Sequence, residues 1–172
     1  MMRWVLIVVG VLVALAASIY GLGMSTPRHH LAEVEGVVSR PVADVAATIR
    51  AVENYSAWRS GVVVEKIART EGAVTYVEVA DGDRIAYRLT EPERDARFVS
   101  TITDETLPFG GAWTVSLTSE GASTRVRIRE EGDVRDPLYR FFARYVFGHT
   151  STMKTYLKNL GAAPAEVASP PG

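Results

Sequence analysis

The stretch DPLYRFFARYVFGHTSTMKTYLKNLG, residues 136–161, decides the fold. Asp136 is placed as an N-cap, and Pro137 follows at the first helical position, where its missing N–H costs nothing. Leu138, Phe142, Tyr145, His149, Met153, Tyr156 and Leu160 then recur at three- and four-residue spacing. That spacing predicts one long helix over 136–160 with a continuous apolar face broken only by His149. Gly161 ends it, as a glycine after a helix often does.

A helix of this kind must cover something apolar, and the residues before it supply a sheet. His30–Val38 reads as a first strand. Pro41 opens a short helix with Val42, Val45, Ala46 and Ile49 as its stripe, and Asn54–Trp58 reads as a second short helix or turn. Six strands follow: 62–69, 74–80, 84–90, 98–103, 111–118 and 124–131. The turns between them carry Gly72, Gly82, Pro92 and Gly121. Short turns between successive strands imply an antiparallel sheet. The expected fold class is α+β: a curved sheet of about seven strands wrapped around the C-terminal helix, with a space enclosed between them.

The other end of the chain is different. Trp4–Leu22 carries no charge. As a helix it is roughly 28 Å long, against about 30 Å for the hydrocarbon core of a bilayer. Trp4 and Tyr20 stand where an aromatic belt would lie, and Gly21, Gly23, Ser25 and Pro27 end the run. The competing reading is a signal peptide cleaved after Ala14-Leu15-Ala16; the apolar run continues past that point and favours an uncleaved anchor. The expected division is a transmembrane anchor and juxtamembrane segment over 1–28, a domain over 29–161 and a disordered Pro- and Ala-rich tail over 162–172. Arg3 and the amino terminus face Arg28 across the span, and the expected orientation puts the domain outside the cytoplasm.

Composition narrows the chemistry. The formal net charge is −1, and no basic run is present, which argues against nucleic acid. Arg125, Arg127 and Arg129 alternate with apolar residues and read as one solvated strand face. Cysteine is absent, so disulfides, thiolate nucleophiles and Cys-bound metal are excluded. No hydrolase or phosphate-loop motif occurs. His29 and His30 are adjacent and share no helical face, so they read as a juxtamembrane surface pair; no metal or cofactor is expected.

Leu107-Pro108-Phe109-Gly110-Gly111-Ala112-Trp113 and the helix from Phe141 to Leu157, with Phe147-Gly148-His149-Thr150 inside it, resemble the SRPBCC superfamily. These are the START-like, helix-grip proteins that include polyketide cyclase/dehydrase-like and lipid-transfer members. Asn54-Tyr55-Ser56-Ala57-Trp58 is similar to that family's segment after the first helix. The resemblance spans roughly His30 to Gly161. It implies a hydrophobic cavity and no single reaction, since the fold hosts binders, transfer proteins and enzymes.

Within that cavity the expected lining is Trp58, Tyr76, Tyr87, Phe109, Trp113, Val115, Phe142, Tyr145, His149 and Met153. His149 is the acid/base candidate, weighed against a core histidine held by one hydrogen bond. Glu130 shares strand parity with Val126 and Ile128 and is its possible partner, unless the strand ends before it. Asp104 shares parity with Ile102 but reads as a strand end. Three functions remain: a membrane-tethered binder or carrier of an apolar small molecule or lipid, a cyclase/dehydratase-like enzyme using His149 and Glu130, and a structural partner in an envelope complex with a filled interior.

Overall fold

The computed structural model describes residues 1–148, 150–162 and 165–166. It begins with helix α1, Met2–Ser25. Strand β1, His29–Val38, leads into α2, Val42–Arg50, and the short α3, Tyr55–Trp58. Six strands follow: β2 Val62–Thr70, β3 Ala73–Ala80, β4 Asp83–Glu93, β5 Arg97–Ile102, β6 Phe109–Glu120 and β7 Ser123–Val134. The chain closes with α4, Pro137–Phe142, then α5, Ser151–Leu160, and a two-residue strand β8, Ala165–Glu166.

All the strand pairings are antiparallel, in the order β2-β3-β4-β5-β6-β7-β1-β8. This is the START-like helix-grip fold, a curved sheet closed over a C-terminal helix. β1 returns to lie between β7 and the short β8, with Val34 opposite Ile128 of β7. β7 continues to Val134 and does not stop before Glu130, because Gly110, Gly111 and Gly132 let β6 and β7 stay paired through Phe109 opposite Val134.

The inward face changes character along each strand. On β7, Val126 and Ile128 are fully buried. On β6, Leu117 and Val115 are buried as well. These residues, with Val34, Val38 and Phe98, pack under α2 and α5 through Val45, Ile49, Met153 and Leu157. Each such side chain contributes about 1.5–3 kcal/mol by leaving water. The outer face is solvated, and Arg125 and Arg127 there pair with Glu35 at 3.1 Å.

The C-terminal helix differs from the sequence expectation. It is broken into two helices. α4 passes at Ala143–Phe147 into a wide π turn, and Gly148 then leaves the helical region at φ 71 and ψ 151. Each residue of an α-helix advances its face by about 100°, so a wide turn followed by a break dissolves the common stripe. Met153, Tyr156, Leu157 and Leu160 are buried against the sheet, whereas Leu138, Phe142 and Tyr145 are exposed. His149 lies outside the described residues.

The break predicts opposite outcomes at two positions. Leu157→Ala should cost about 2–5 kcal/mol, the usual range for emptying a packed core site. Phe142→Asp should cost about 1 kcal/mol or less, because the carboxylate reaches water. Thermal unfolding of the detergent-solubilised chain checks both; a larger loss for Phe142→Asp than for Leu157→Ala would restore the continuous helix.

Candidate functional site

Where α5 ends its cover of the sheet, the concave face lines a cavity of about 590 Å³. Its floor comes from the cavity ends of successive strands: Tyr76 of β3, Tyr87 of β4, Ser100 of β5 and Trp113 of β6. The strand register forces this, since Tyr76 lies opposite Tyr87 and Ser100 opposite Trp113. The Tyr76 and Tyr87 rings stack with centroids 5.6 Å apart, and Tyr156 of α5 meets Trp113 edge to face at 5.9 Å. Exposed residues that also line the cavity mark its mouth: Asp83 at the start of β4, Tyr139 and Phe142 of α4, Gly148, and Ser151 and Thr152 at the start of α5. The break in the C-terminal helix is thus part of the opening.

Two polar pairs interrupt the apolar wall. Arg59, just after α3, donates to both carboxylate oxygens of Glu78 at 2.6 and 2.7 Å. Their side chains are only 13 and 12% exposed. A buried charge needs a partner and more, and here the guanidinium also lies over the rings of Tyr55 at 5.2 Å and Tyr156 at 5.4 Å. Burial is the largest single influence and works against the Arg59 charge, but the Glu78 hydrogen bonds together with the Glu78 charge and the neighbouring tyrosines outweigh it and hold the guanidinium protonated. Burial also pushes the Tyr76 phenol up to about 12, and those of Tyr55, Tyr87 and Tyr156 upward too. These phenols are neutral groups at physiological pH.

The second pair is His30 and Glu130, with Nε2 and Oε1 3.4 Å apart. Both line the cavity. Gly132 stands opposite His30 in the β1–β7 ladder, and a Cβ there would lie 2.0 Å from the imidazole Cε1. The glycine is what makes room for the ring. Gly111, opposite Gly132 in β6, sits at φ 131, and a Cβ on it would be 2.2 Å from the Glu131 carbonyl oxygen. Together these glycines allow the close approach of three strands behind the imidazole.

Several sequence expectations are corrected by this geometry. His30 is no surface residue; it shares strand parity with Ala32 and Val34 and therefore points inward, while His29 points out. Glu130 does face inward, but its histidine contact is His30, and His149 lies outside the described residues. Tyr76, Tyr87, Phe109, Trp113, Val115 and Phe142 line the cavity. Trp58, Tyr145 and Met153 do not. Trp58 packs sideways against Tyr55 and Tyr156, Met153 is wholly enclosed in the core, and Tyr145 is turned to the surface by the π turn. Asp104 is a strand end, where it accepts from the Thr106 N–H and hydroxyl. Sequence reasoning missed Arg59, Glu78 and His30. Parity was the available signal for two of them, since Glu78 follows Tyr76 by two residues and His30 precedes Ala32 by two. Among the described residues, no three His, Asp or Glu side chains converge as a metal-ligand set.

Solved structures share the fold at low identity. The Zhui aromatase/cyclase from Streptomyces sp. R1128 aligns with a TM-score of 0.65 at 12% identity, over 77% of this chain and 91% of that one. Norcoclaurine synthase from Thalictrum flavum, solved with dopamine and hydroxybenzaldehyde, gives 0.61 at 10% identity over 81% and 87%. A START superfamily protein from Mycobacterium smegmatis gives 0.58 at 14% identity over 76% and 94%. No curated protein matches the chain. Residues 29–163 match the family described as polyketide cyclase/dehydrase and lipid transport. With that match covering strands β1 to β7 and the broken C-terminal helix, the chain belongs to this family, within the SRPBCC superfamily.

Proposed function

We propose that this protein is a membrane-tethered carrier that holds an apolar small molecule or lipid in the cavity between the sheet and α5. The single observation that carries the reading is the cavity itself: about 590 Å³, walled by Ile85, Tyr87, Leu89, Trp113 and Tyr156, and open at the helix break. Apolar walls with a few placed polar groups suit an apolar ligand with a polar end. The neutral phenols, the Arg59–Glu78 pair and the His30–Glu130 pair supply hydrogen-bonding partners for such an end. A structural partner with a filled interior is disfavoured by the same open volume. The family description includes lipid transport, in line with this reading.

In this reading the chain divides into an anchor over 1–28, a ligand-binding domain over 29–161 and a tail over 162–172, which is not wholly disordered as the sequence suggested, because Ala162 and Ala165–Glu166 pair with β1. α1 is the one helix among the described residues long and apolar enough to cross a membrane. It runs without interruption past Ala16, and its last turn packs on α4, where a Cβ at Gly23 would lie 1.9 Å from the Pro137 carbonyl oxygen. Both features favour an anchor that stays attached over a signal peptide that is removed. In this reading Arg3 marks the cytoplasmic flank of the span and the domain lies on the non-cytoplasmic side.

A second reading rests on a different observation, the 3.4 Å contact of His30 with Glu130 in the cavity wall. A cyclase/dehydratase-like reaction would use Glu130 with His30 in the place the sequence assigned to His149. That chemistry requires proton transfer at carbon. It predicts that the protein exchanges the acidic C–H protons of a bound β-dicarbonyl compound for deuterium from solvent, and that Glu130→Gln abolishes the exchange. The carrier reading predicts no exchange above buffer for either protein.

The carrier reading also makes a binding prediction. Ser100 sits on the cavity floor opposite Trp113, so Ser100→Trp fills space that is empty. It should weaken binding of a fluorescent fatty-acid analogue by about tenfold or more, or about 1.4 kcal/mol, while leaving the melting temperature within a few degrees. Equal affinity in the two proteins would place the ligand elsewhere.

A further inference from the structure

The side chains released from the sheet by the helix break are concentrated on one surface. Leu138, Tyr139, Phe142, Tyr145 and Val146 are 37–57% exposed and adjacent in sequence. A run of large apolar side chains in water marks a surface that meets something else. Its position indicates what that is. The end of α1 is in contact with α4: Gly23 lies against Pro137, and Arg140 donates from Nη1 to the Thr26 carbonyl oxygen at 3.0 Å. The patch therefore begins where the apolar helix ends. The Asp136 side chain accepts from the N–H groups of Leu138 and Tyr139 and so caps the first turn of α4.

Composition agrees with that position. Residues 138–148 contain no carboxylate, and Arg140 and Arg144 are the only charged side chains among them. Aromatic side chains interleaved with arginine suit the headgroup layer, where rings reach the acyl boundary and guanidinium groups reach phosphate. We propose that the surface formed by α4 and the π turn lies in the interfacial layer of the same bilayer that holds α1, so that the cavity opens onto lipid. This rests on the reading of α1 as an anchor. Tyr139 and Phe142 belong to both the patch and the cavity mouth, so a ligand leaving the bilayer passes from one to the other without crossing water.

The absence of cysteine permits a direct test with single nitroxide labels in the full chain. Labels are placed by Tyr145→Cys in the patch, Leu12→Cys in α1 and Glu71→Cys in the exposed β2–β3 turn. Each protein is reconstituted in phosphatidylcholine/phosphatidylglycerol vesicles, and collision with oxygen is compared with collision with a water-soluble nickel chelate. The expected result is that the labels at 145 and 12 favour oxygen and the label at 71 favours nickel. If 145 behaves like 71 while 12 favours oxygen, the anchor stands and the docked surface is wrong. If 12 also favours nickel, the anchor reading fails and this inference fails with it. Dipolar broadening between 145 labels, with little access for either reagent, would mean that a second copy covers the patch and would overturn lipid docking.

Discussion

A backbone that leaves the helical region at Gly148 stops supplying donors to its own preceding turns, and the side chains on either side lose a common face. The concave sheet is longer than the helix that remains to cover it. α5 satisfies the half that carries Val115, Ile128 and Phe98, and those contacts form the core. The other half keeps its inward side chains without a covering helix, and that uncovered length is the cavity. The apolar side chains of α4, freed from the sheet by the same break, become the exposed surface beside α1. Core, cavity and patch follow from one interruption.

Polar groups inside such a cavity are tolerable only when each has a partner before any ligand arrives. Arg59 and Glu78 satisfy each other and are flanked by the rings of Tyr55 and Tyr156. The imidazole of His30 has Glu130 beside it and the flat backbone of Gly132 behind it. These pairs give the wall fixed dipoles at defined positions, while the surrounding phenols stay neutral. A ligand with one polar end would be oriented by them, and its apolar part would fill the aromatic region over Trp113.

Much of the architecture was legible in the sequence because strand alternation and turn residues are local signals. Tyr76, Tyr87 and Trp113 could be assigned to an inward face by counting in twos. The same counting from Val34 places His30 inward, against the expectation that two adjacent histidines at a strand's start share the surface. Glu78 was legible from Tyr76 in the same way. The break in the last helix was harder to read. The apolar spacing from Leu138 to Leu160 satisfies helical periodicity throughout, and only Gly148 signals an interruption. A glycine inside a helical pattern is compatible with continuation, so the decision was made by backbone geometry and not by the pattern. The contact between Gly23 and Pro137 joins residues more than a hundred positions apart, and no local signal encodes it.

The central claim is that the cavity is a ligand site, and the most direct measurement is native mass spectrometry of the full chain extracted in mild detergent. The account predicts a bound apolar molecule or lipid in a one-to-one adduct that persists after detergent is removed in the gas phase and is reduced by Ser100→Trp. A chain that is entirely free of adducts, and that takes up none when mixed with the lipids of its own membrane, would contradict it.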